Sequence, residues 1–134
     1  MNKLVILIFS LAFAMHVMAS DESKEEPVQH LKIADVTSMK DAKKIFIETT
    51  SEIKSKKNLD QQELQQIHII TYSLEKSVAY FVENLKGERQ ELAKEIAVVV
   101  EDIHISSENN RQEETETYLN KYFNLAEKFI SGSL

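Results

Sequence analysis

The sequence contains no cysteine and no tryptophan, and it has only two glycines and one proline among 134 residues. Without cysteine, the chain has neither a disulfide framework nor thiolate ligands for a metal. Haem attached covalently through a Cys-x-x-Cys-His motif and a lipid anchor on an N-terminal cysteine are excluded for the same reason. Because little glycine or proline interrupts a chain rich in Glu, Lys, Gln, Leu and Ile, the composition predicts an all-helical protein.

Positive charge is also scarce. Acidic side chains number 22 against 16 basic ones, which gives a formal net charge of -6. An acidic surface without a basic stripe repels the phosphates of nucleic acids and anionic lipids, so we expect no nucleic-acid partner. The sequence also lacks phosphate loops, nucleotide motifs and catalytic triads, and we predict that the protein is not an enzyme.

The N-terminal residues have the features of a cleaved signal peptide. Lys3 supplies positive charge, an apolar run covers residues 4–14, and Ala19 offers a small residue for cleavage. The apolar run is too short to span a bilayer as a helix. We therefore expect residues 1–19 to be removed on export, which leaves a periplasmic protein without a stable membrane span.

Residues 20–37 form a second segment, which we interpret as a flexible or extended arm. The segment begins with polar and acidic residues, is interrupted by Pro27, and then alternates apolar with polar residues without a helical period. His30 lies within this arm. The helical part of the chain is expected to begin after it, over residues 38–131.

Four signals divide residues 38–131 into helices. Ser38 and Asp60 each precede a helical apolar pattern and have an acidic residue three positions later, as in a capping box. Gly87 suits the left-handed residue at which a helix ends. Asn110 is expected to start the fourth helix, because an acidic residue again follows three positions later. The first helix is predicted over residues 39–55.

Apolar residues in the second and third helices recur at alternating spacings of three and four, which is a heptad pattern. Such helices pack at a crossing angle of about 20°. The connections are short, so consecutive helices are expected to run antiparallel. The predicted fold class is all-α, an up-down-up-down four-helix bundle preceded by a cleaved signal peptide and an extended N-terminal arm.

The tripeptide Ile-His-Ile occurs twice, around His68 in the second helix and around His104 in the third. In a hairpin that turns near Gly87, the two histidines are almost equally distant from the turn and lie at one level. Neutral imidazole binds Zn, Cu, Fe and Ni, so the pair indicates a metal site or a site for non-covalent haem. Whether the rings face each other stays open, because a one-residue slip rotates each histidine by about 100°.

Further candidate ligands lie near this pair. Glu101 precedes His104 in the Glu-x-x-His spacing of bundle carboxylate sites. The arm is long enough for His30 to reach the histidine pair, since an extended chain advances by about 3.3 Å per residue. The candidate ligands are His68, His104, His30 and Glu101, with Tyr72, Glu75 and Glu108 as supporting residues. The candidate metals are Cu, Zn and Ni.

A second interpretation gives the histidines a purely structural role, since histidines at the edge of a helical core are usually packed and hydrogen-bonded. The protein would then be a non-catalytic envelope stress protein, chaperone-like protein or interaction module. It would bind a protein partner or a second copy of itself through an apolar groove or the wide apolar face of the fourth helix. A contiguous exposed apolar patch would favour this interpretation.

Two segments also carry a resemblance. Residues 66–75 (Q-I-H-I-I-T-Y-S-L-E) and residues 101–108 (E-D-I-H-I-S-S-E) contain the patterns I-H-x-x-T-Y-x-L-E and H-x-x-S-E. They resemble a family of small uncharacterised exported helical proteins of proteobacteria. The resemblance covers about residues 30–129, implies a periplasmic location and implies no activity. It directs attention to six positions: His30, His68, Tyr72, Glu75, His104 and Glu108.

Overall fold

The structure is a computed structural model that describes residues 35–132. The four helices are α1 (Met39–Lys54), α2 (Gln61–Asn84), α3 (Glu88–Glu108) and α4 (Gln112–Ser131). No strand occurs within residues 35–132, so the prediction of an all-α fold with four helices is confirmed. The signal peptide over residues 1–19 and most of the arm over residues 20–37 lie outside the described residues, and both stay predictions.

The first two helices begin at the predicted caps. The Ser38 hydroxyl accepts a hydrogen bond from the Asp41 N–H at 3.1 Å and donates to its carboxylate at 2.6 Å. Asp60 Oδ1 accepts from the Glu63 N–H at 2.9 Å. The Glu63 side chain extends back to the residue before the N-cap, where its Oε2 accepts a hydrogen bond from the N–H of Leu59 at 2.7 Å. Leu59 has a positive φ of 49°. The start of α2 is thus held from both sides.

Replacing Asp60 by alanine is expected to lower the free energy of unfolding by about 1 kcal/mol, because the side chain satisfies one of the open N–H groups at the start of α2. Chemical denaturation measures the change. Glu95→Ala is the matched control, since it removes an exposed carboxylate from the middle of α3. An equal loss in both variants would show that the effect comes from net charge and not from capping.

Helix α1 ends one residue before its predicted end, and two further predicted boundaries differ from the observed ones. Helix α2 ends at Asn84, and Gly87 directly precedes α3 with φ 64° and ψ -145°, a conformation that is essentially restricted to glycine. Asn110 does not start α4. Its φ is 56°, its N–H bonds to Ser107 O, and the N–H of Arg111 bonds to Ser106 O, which together close α3 in a Schellman motif.

Side-chain hydrogen bonds show that consecutive helices run antiparallel. Ser77 near the end of α2 donates to the carbonyl of Ala42 at the start of α1 at 2.7 Å. Gln90 at the start of α3 donates to the carbonyl of Val82 at 2.8 Å. Arg89 donates to the carbonyl of Gly132, after the end of α4, at 2.8 Å. The four helices therefore form an up-down-up-down bundle.

The core contains an aromatic cluster that joins α1, α2 and α4. The Phe46 ring lies 5.6 Å from the Phe81 ring, 6.3 Å from the Tyr122 ring and 5.4 Å from the Phe129 ring, between centroids. All four side chains are fully buried. The Tyr122 hydroxyl forms a 2.5 Å hydrogen bond with the hydroxyl of Thr50. This contact satisfies the polar end of a buried ring and links the first helix to the last.

Within residues 35–132, none of the helices combines the length and the apolar character that crossing a membrane requires.

Candidate metal centre

His68 and His104 face each other at the edge of the core between α2 and α3. Their ring centroids are 4.7 Å apart and the ring planes are tilted by 40°. Each histidine follows an isoleucine that is fully buried in the core, Ile67 or Ile103. The next residue is turned by about 100° around its helix, which places it at the border of the buried stripe. The structure therefore brings the two histidines together at one level of the hairpin.

Tyr72 and Thr71 complete the surroundings of the two rings. Tyr72 follows His68 by one helical turn, and its hydroxyl lies 3.0 Å from His68 Nε2. The Tyr72 ring lies 4.9 Å from the His104 ring in an edge-to-face arrangement. Thr71 is fully buried, and its hydroxyl donates to the His68 carbonyl at 2.5 Å and lies 3.1 Å from His104 Nδ1. Both histidines are thus held by residues of α2.

Glu108 is the carboxylate that forms a cluster of possible metal ligands with both histidines. His68, His104 and Glu108 can each offer one ligand atom such that all three atoms lie within 4.8 Å of one another. Glu108 follows His104 by four residues and therefore lies on the same face of α3. Its side chain is exposed, whereas His68 is 8% exposed. The cluster thus extends from the core edge to solvent.

Glu101, the carboxylate that the Glu-x-x-His spacing favours, is not one of the three residues of this cluster. It is exposed, and its charge acts on Glu75. Glu75 Oε1 lies 2.9 Å from His104 Nδ1, although it has no hydrogen-bond partner of good geometry. Glu101 thus interacts with Glu75, whereas Glu108 belongs to the cluster with the two histidines. His30 lies outside the described residues, and its role as a ligand stays a prediction.

One nitrogen of the pair is buried without a partner. His68 Nδ1 has no hydrogen-bond partner in the protein, although the residue is more than nine-tenths buried. Leaving such an atom unpaired costs about 1 to 3 kcal/mol. A bound cation would give this nitrogen a partner. The unpartnered atom therefore indicates a ligand, and no sequence pattern could have revealed it.

The electrostatic surroundings favour the neutral form of His68. Burial lowers its pKa from 6.5, the proximity of His104 lowers it further, and the negative charge of Glu108 opposes both. Burial also raises the pKa of Glu75 above 4.5, which His104 opposes and Glu101 reinforces. Neutral imidazole is the form that binds metal ions, so His68 is in its metal-binding form at neutral pH.

The metal-free protein is expected to lose stability as the pH falls below about 6.5. The pKa of His68 is lower in the folded chain than in the unfolded chain, so the unfolded chain takes up the proton first. The free energy of unfolding then decreases until the pH reaches the folded pKa, where it levels off. Glu75 acts in the opposite direction at lower pH, because its raised pKa lets the folded protein hold a proton.

Chemical denaturation at a series of pH values, with a chelator present, measures this dependence. His68→Gln removes the titrating group and is expected to flatten the curve just below pH 6.5. An unchanged curve in this variant would contradict the assignment of this pH dependence to His68.

The remaining buried polar residues near the site serve the fold. Thr115 on α4 donates to Ser106 Oγ at 2.9 Å, and Ser107 Oγ donates to the Ile103 carbonyl at 2.6 Å. These hydroxyls form bonds inside α3 or between α3 and α4. The chemistry of the site therefore rests on the histidine pair and its immediate neighbours.

Fold and site together define a class, an antiparallel four-helix bundle with a His-His-Glu cluster between its second and third helices. The chain belongs to a family of unknown function (DUF6746), whose model matches residues 1–131. Among curated proteins and among solved structures, no match to the chain is found. Membership of a family of unknown function agrees with the expected uncharacterised family, whereas the proteobacterial origin and the family patterns stay predictions.

Proposed function

We propose that this protein is an exported helical-bundle protein that binds one transition-metal ion through His68, His104 and Glu108. The observation that carries the proposal is the position of three potential ligand atoms, one from each residue, within 4.8 Å of one another. The unpartnered nitrogen of His68 supports it independently. We propose binding and not catalysis as the role of the site, and export to the periplasm as its setting.

The donor set favours particular metals. Two neutral imidazoles and a carboxylate suit Zn, Cu and Ni, whereas Mg and Ca prefer oxygen ligands alone. Two imidazole nitrogens that share one ion lie about 3 to 4 Å apart, given metal to nitrogen distances of about 2.0 to 2.1 Å. The three possible ligand atoms here lie within 4.8 Å of one another, and the exposed Glu108 side chain has room to adjust to an ion.

A single ion fits the geometry better than haem does. In haem proteins with two histidine ligands, the imidazoles lie on opposite sides of the porphyrin plane. In this protein the two rings are in direct contact, with centroids 4.7 Å apart, and Tyr72 packs against both. An ion can bind at the edges of two adjacent rings, whereas a porphyrin between them would have to push the helices apart.

The alternative of an interaction module requires a contiguous exposed apolar patch. Five large hydrophobic residues are exposed within residues 35–132, and they are spread over all four helices: Ile47, Tyr72, Val98, Ile105 and Ile130. Single exposed hydrophobic residues are normal on a protein surface. An interaction module therefore has no support from the number of exposed hydrophobic residues alone, whereas the metal-binding proposal rests on a defined cluster of ligand atoms.

Thermal unfolding with and without Cu(II), Zn(II) and Ni(II) tests the proposal. A ligand that binds only the folded state stabilises it by about 2.7 kcal/mol at one hundred times its dissociation constant. We expect at least one ion to raise the melting temperature, and we expect this shift to disappear in the His68→Ala, His104→Ala double variant. A Glu95→Gln variant, which changes an exposed carboxylate elsewhere on α3, should keep it.

The proposal fails if none of the three ions shifts the melting temperature, or if the double variant keeps the full shift. His30→Ala, measured in the same way, reports whether the arm contributes a ligand. Export is tested separately by the mass of the protein recovered from the envelope of producing cells, where the loss of residues 1–19 is expected.

A further inference from the structure

We propose that each imidazole binds the ion through the nitrogen that its neighbours leave unused, which is Nε2 of His104 and Nδ1 of His68. Thr71, Glu75 and Tyr72 are then positioning residues, because they orient the two rings without touching the ion. This inference rests on the proposed function, since it specifies how the same site holds its metal.

The hydrogen bonds of Thr71 determine which nitrogen of His104 carries the proton. A threonine hydroxyl has one hydrogen, and Thr71 donates it to the His68 carbonyl at 2.5 Å. Towards His104 Nδ1, at 3.1 Å, the same hydroxyl oxygen can therefore only accept. Nδ1 must carry the hydrogen in that contact. The neutral ring then has its lone pair on Nε2, which is the nitrogen available to a cation.

Glu75 reinforces this tautomer of His104. Its Oε1 lies 2.9 Å from the same Nδ1, and a carboxylate oxygen near an N–H stabilises that form of the ring. Histidines that bind metals commonly donate their second N–H to a carboxylate, carbonyl or hydroxyl, which fixes the tautomer and the ring orientation. His104 has a similar arrangement, because Thr71 Oγ1 lies within hydrogen-bond distance of Nδ1 and Glu75 Oε1 lies beside it. Thr71 is fully buried, so its oxygen has little freedom to move.

The second ring is held at the other nitrogen. His68 Nε2 lies 3.0 Å from the Tyr72 hydroxyl, while His68 Nδ1 is buried without a partner. When Nε2–H donates to the Tyr72 oxygen, Nδ1 presents its lone pair to the ion. The two rings thus bind through different nitrogens, because one is oriented by a residue one turn further along α2 and the other by residues of the facing helix.

Nuclear magnetic resonance of protein labelled with nitrogen-15 in its histidines tests this inference, with cadmium-113 as the probe ion. In the metal-free protein we expect His104 as the Nδ1–H tautomer. With cadmium bound, we expect scalar coupling from the metal to Nε2 of His104 and to Nδ1 of His68. Coupling to His104 Nδ1 or to His68 Nε2 would overturn the inference and leave the proposed function standing.

The absence of cadmium binding, together with the absence of any shift in melting temperature with Cu(II), Zn(II) or Ni(II), would instead overturn the proposed function, so the two failures are distinguishable. Thr71→Val keeps the shape of the side chain and removes the acceptor. We expect it to lower metal affinity by about 10-fold to 100-fold, and to shift the His104 tautomer in the metal-free spectrum. Tyr72→Phe is expected to lower the metal affinity by a similar factor and to shift the tautomer of His68, instead of His104, in the metal-free spectrum.

Thr117→Val is the matched control for Thr71→Val. Thr117 is exposed on α4 and donates to the carbonyl of Glu113, so the variant also removes a threonine bond to its own helix. It should leave the metal affinity and both histidine tautomers unchanged. A Thr71→Val variant with normal affinity and a normal His104 tautomer would show that Thr71 serves packing alone, and the assignment of Thr71 as a positioning residue would be wrong.

Discussion

Replacing Phe46 by alanine is expected to lower the free energy of unfolding by about 3 to 5 kcal/mol, the largest effect on stability that we predict. Phe46 is fully buried and its ring contacts three others, Phe81 of α2 and Tyr122 and Phe129 of α4. The variant would remove the aromatic contacts by which α1 packs against both α2 and α4. Edge-to-face pairs contribute about 0.5 to 1.5 kcal/mol each beyond the buried area.

Equilibrium denaturation in urea measures this change through the shift of the midpoint. Ile47→Ala is the control, because Ile47 is the next residue on α1 and is 48% exposed. A surface substitution of this kind changes stability by about 0.5 kcal/mol or less. Similar losses in the two variants would contradict the observed placement of α1, since only one of its faces is buried.

Glu108→Gln is expected to lower the affinity for the metal ion at least tenfold, because it replaces a charged ligand by a neutral amide. Substitution of residues that merely orient ligands already costs about 10-fold to 100-fold. Glu101→Gln removes the same charge from the same helix near the same histidine, and we expect it to leave the affinity nearly unchanged. Glu108 shares the cluster with both histidines, whereas Glu101 acts on Glu75.

Isothermal titration with the ion that stabilises the wild-type protein measures both affinities. Both glutamates are exposed, so neither variant should change the stability of the metal-free protein by more than about 0.5 kcal/mol. The opposite ranking, with Glu101→Gln the weaker binder, would show that the Glu-x-x-His spacing identifies the ligand and that Glu108 does not.

Local sequence signals predict helix starts correctly where a side chain forms a hydrogen bond with the backbone a few residues away. Ser38 and Asp60 cap their helices as expected, because an N-cap needs only a side-chain oxygen and a free N–H three residues later. The prediction that Asn110 starts α4 is wrong, because asparagine is common both at helix starts and at left-handed positions after helix ends. Asn110 takes the left-handed position because the carbonyls of Ser106 and Ser107 accept hydrogen bonds from the N–H groups of the two residues at positions 110 and 111.

The candidate site also has features that the sequence predicts and features that only the structure shows. Equal spacing from the turn at Gly87 was sufficient to place His68 and His104 at one level, because an antiparallel hairpin of two straight helices converts sequence distance into height. The Glu-x-x-His spacing favours Glu101 as the ligand, whereas the structure brings Glu108 together with both histidines. Both glutamates lie about one turn from His104, and the rotation of α3 about its axis determines which of them joins the histidine pair.

The sequence by itself determined the helical class, most helix starts, the antiparallel order and the level of the two histidines, because these follow from short-range bonds and from apolar periodicity. Only the tertiary structure decided that the rings are in contact, that Glu108 joins them and that Thr71 orients His104. Those relations depend on the rotation of each helix about its axis. Packing across the whole core sets that rotation, and no local pattern encodes it.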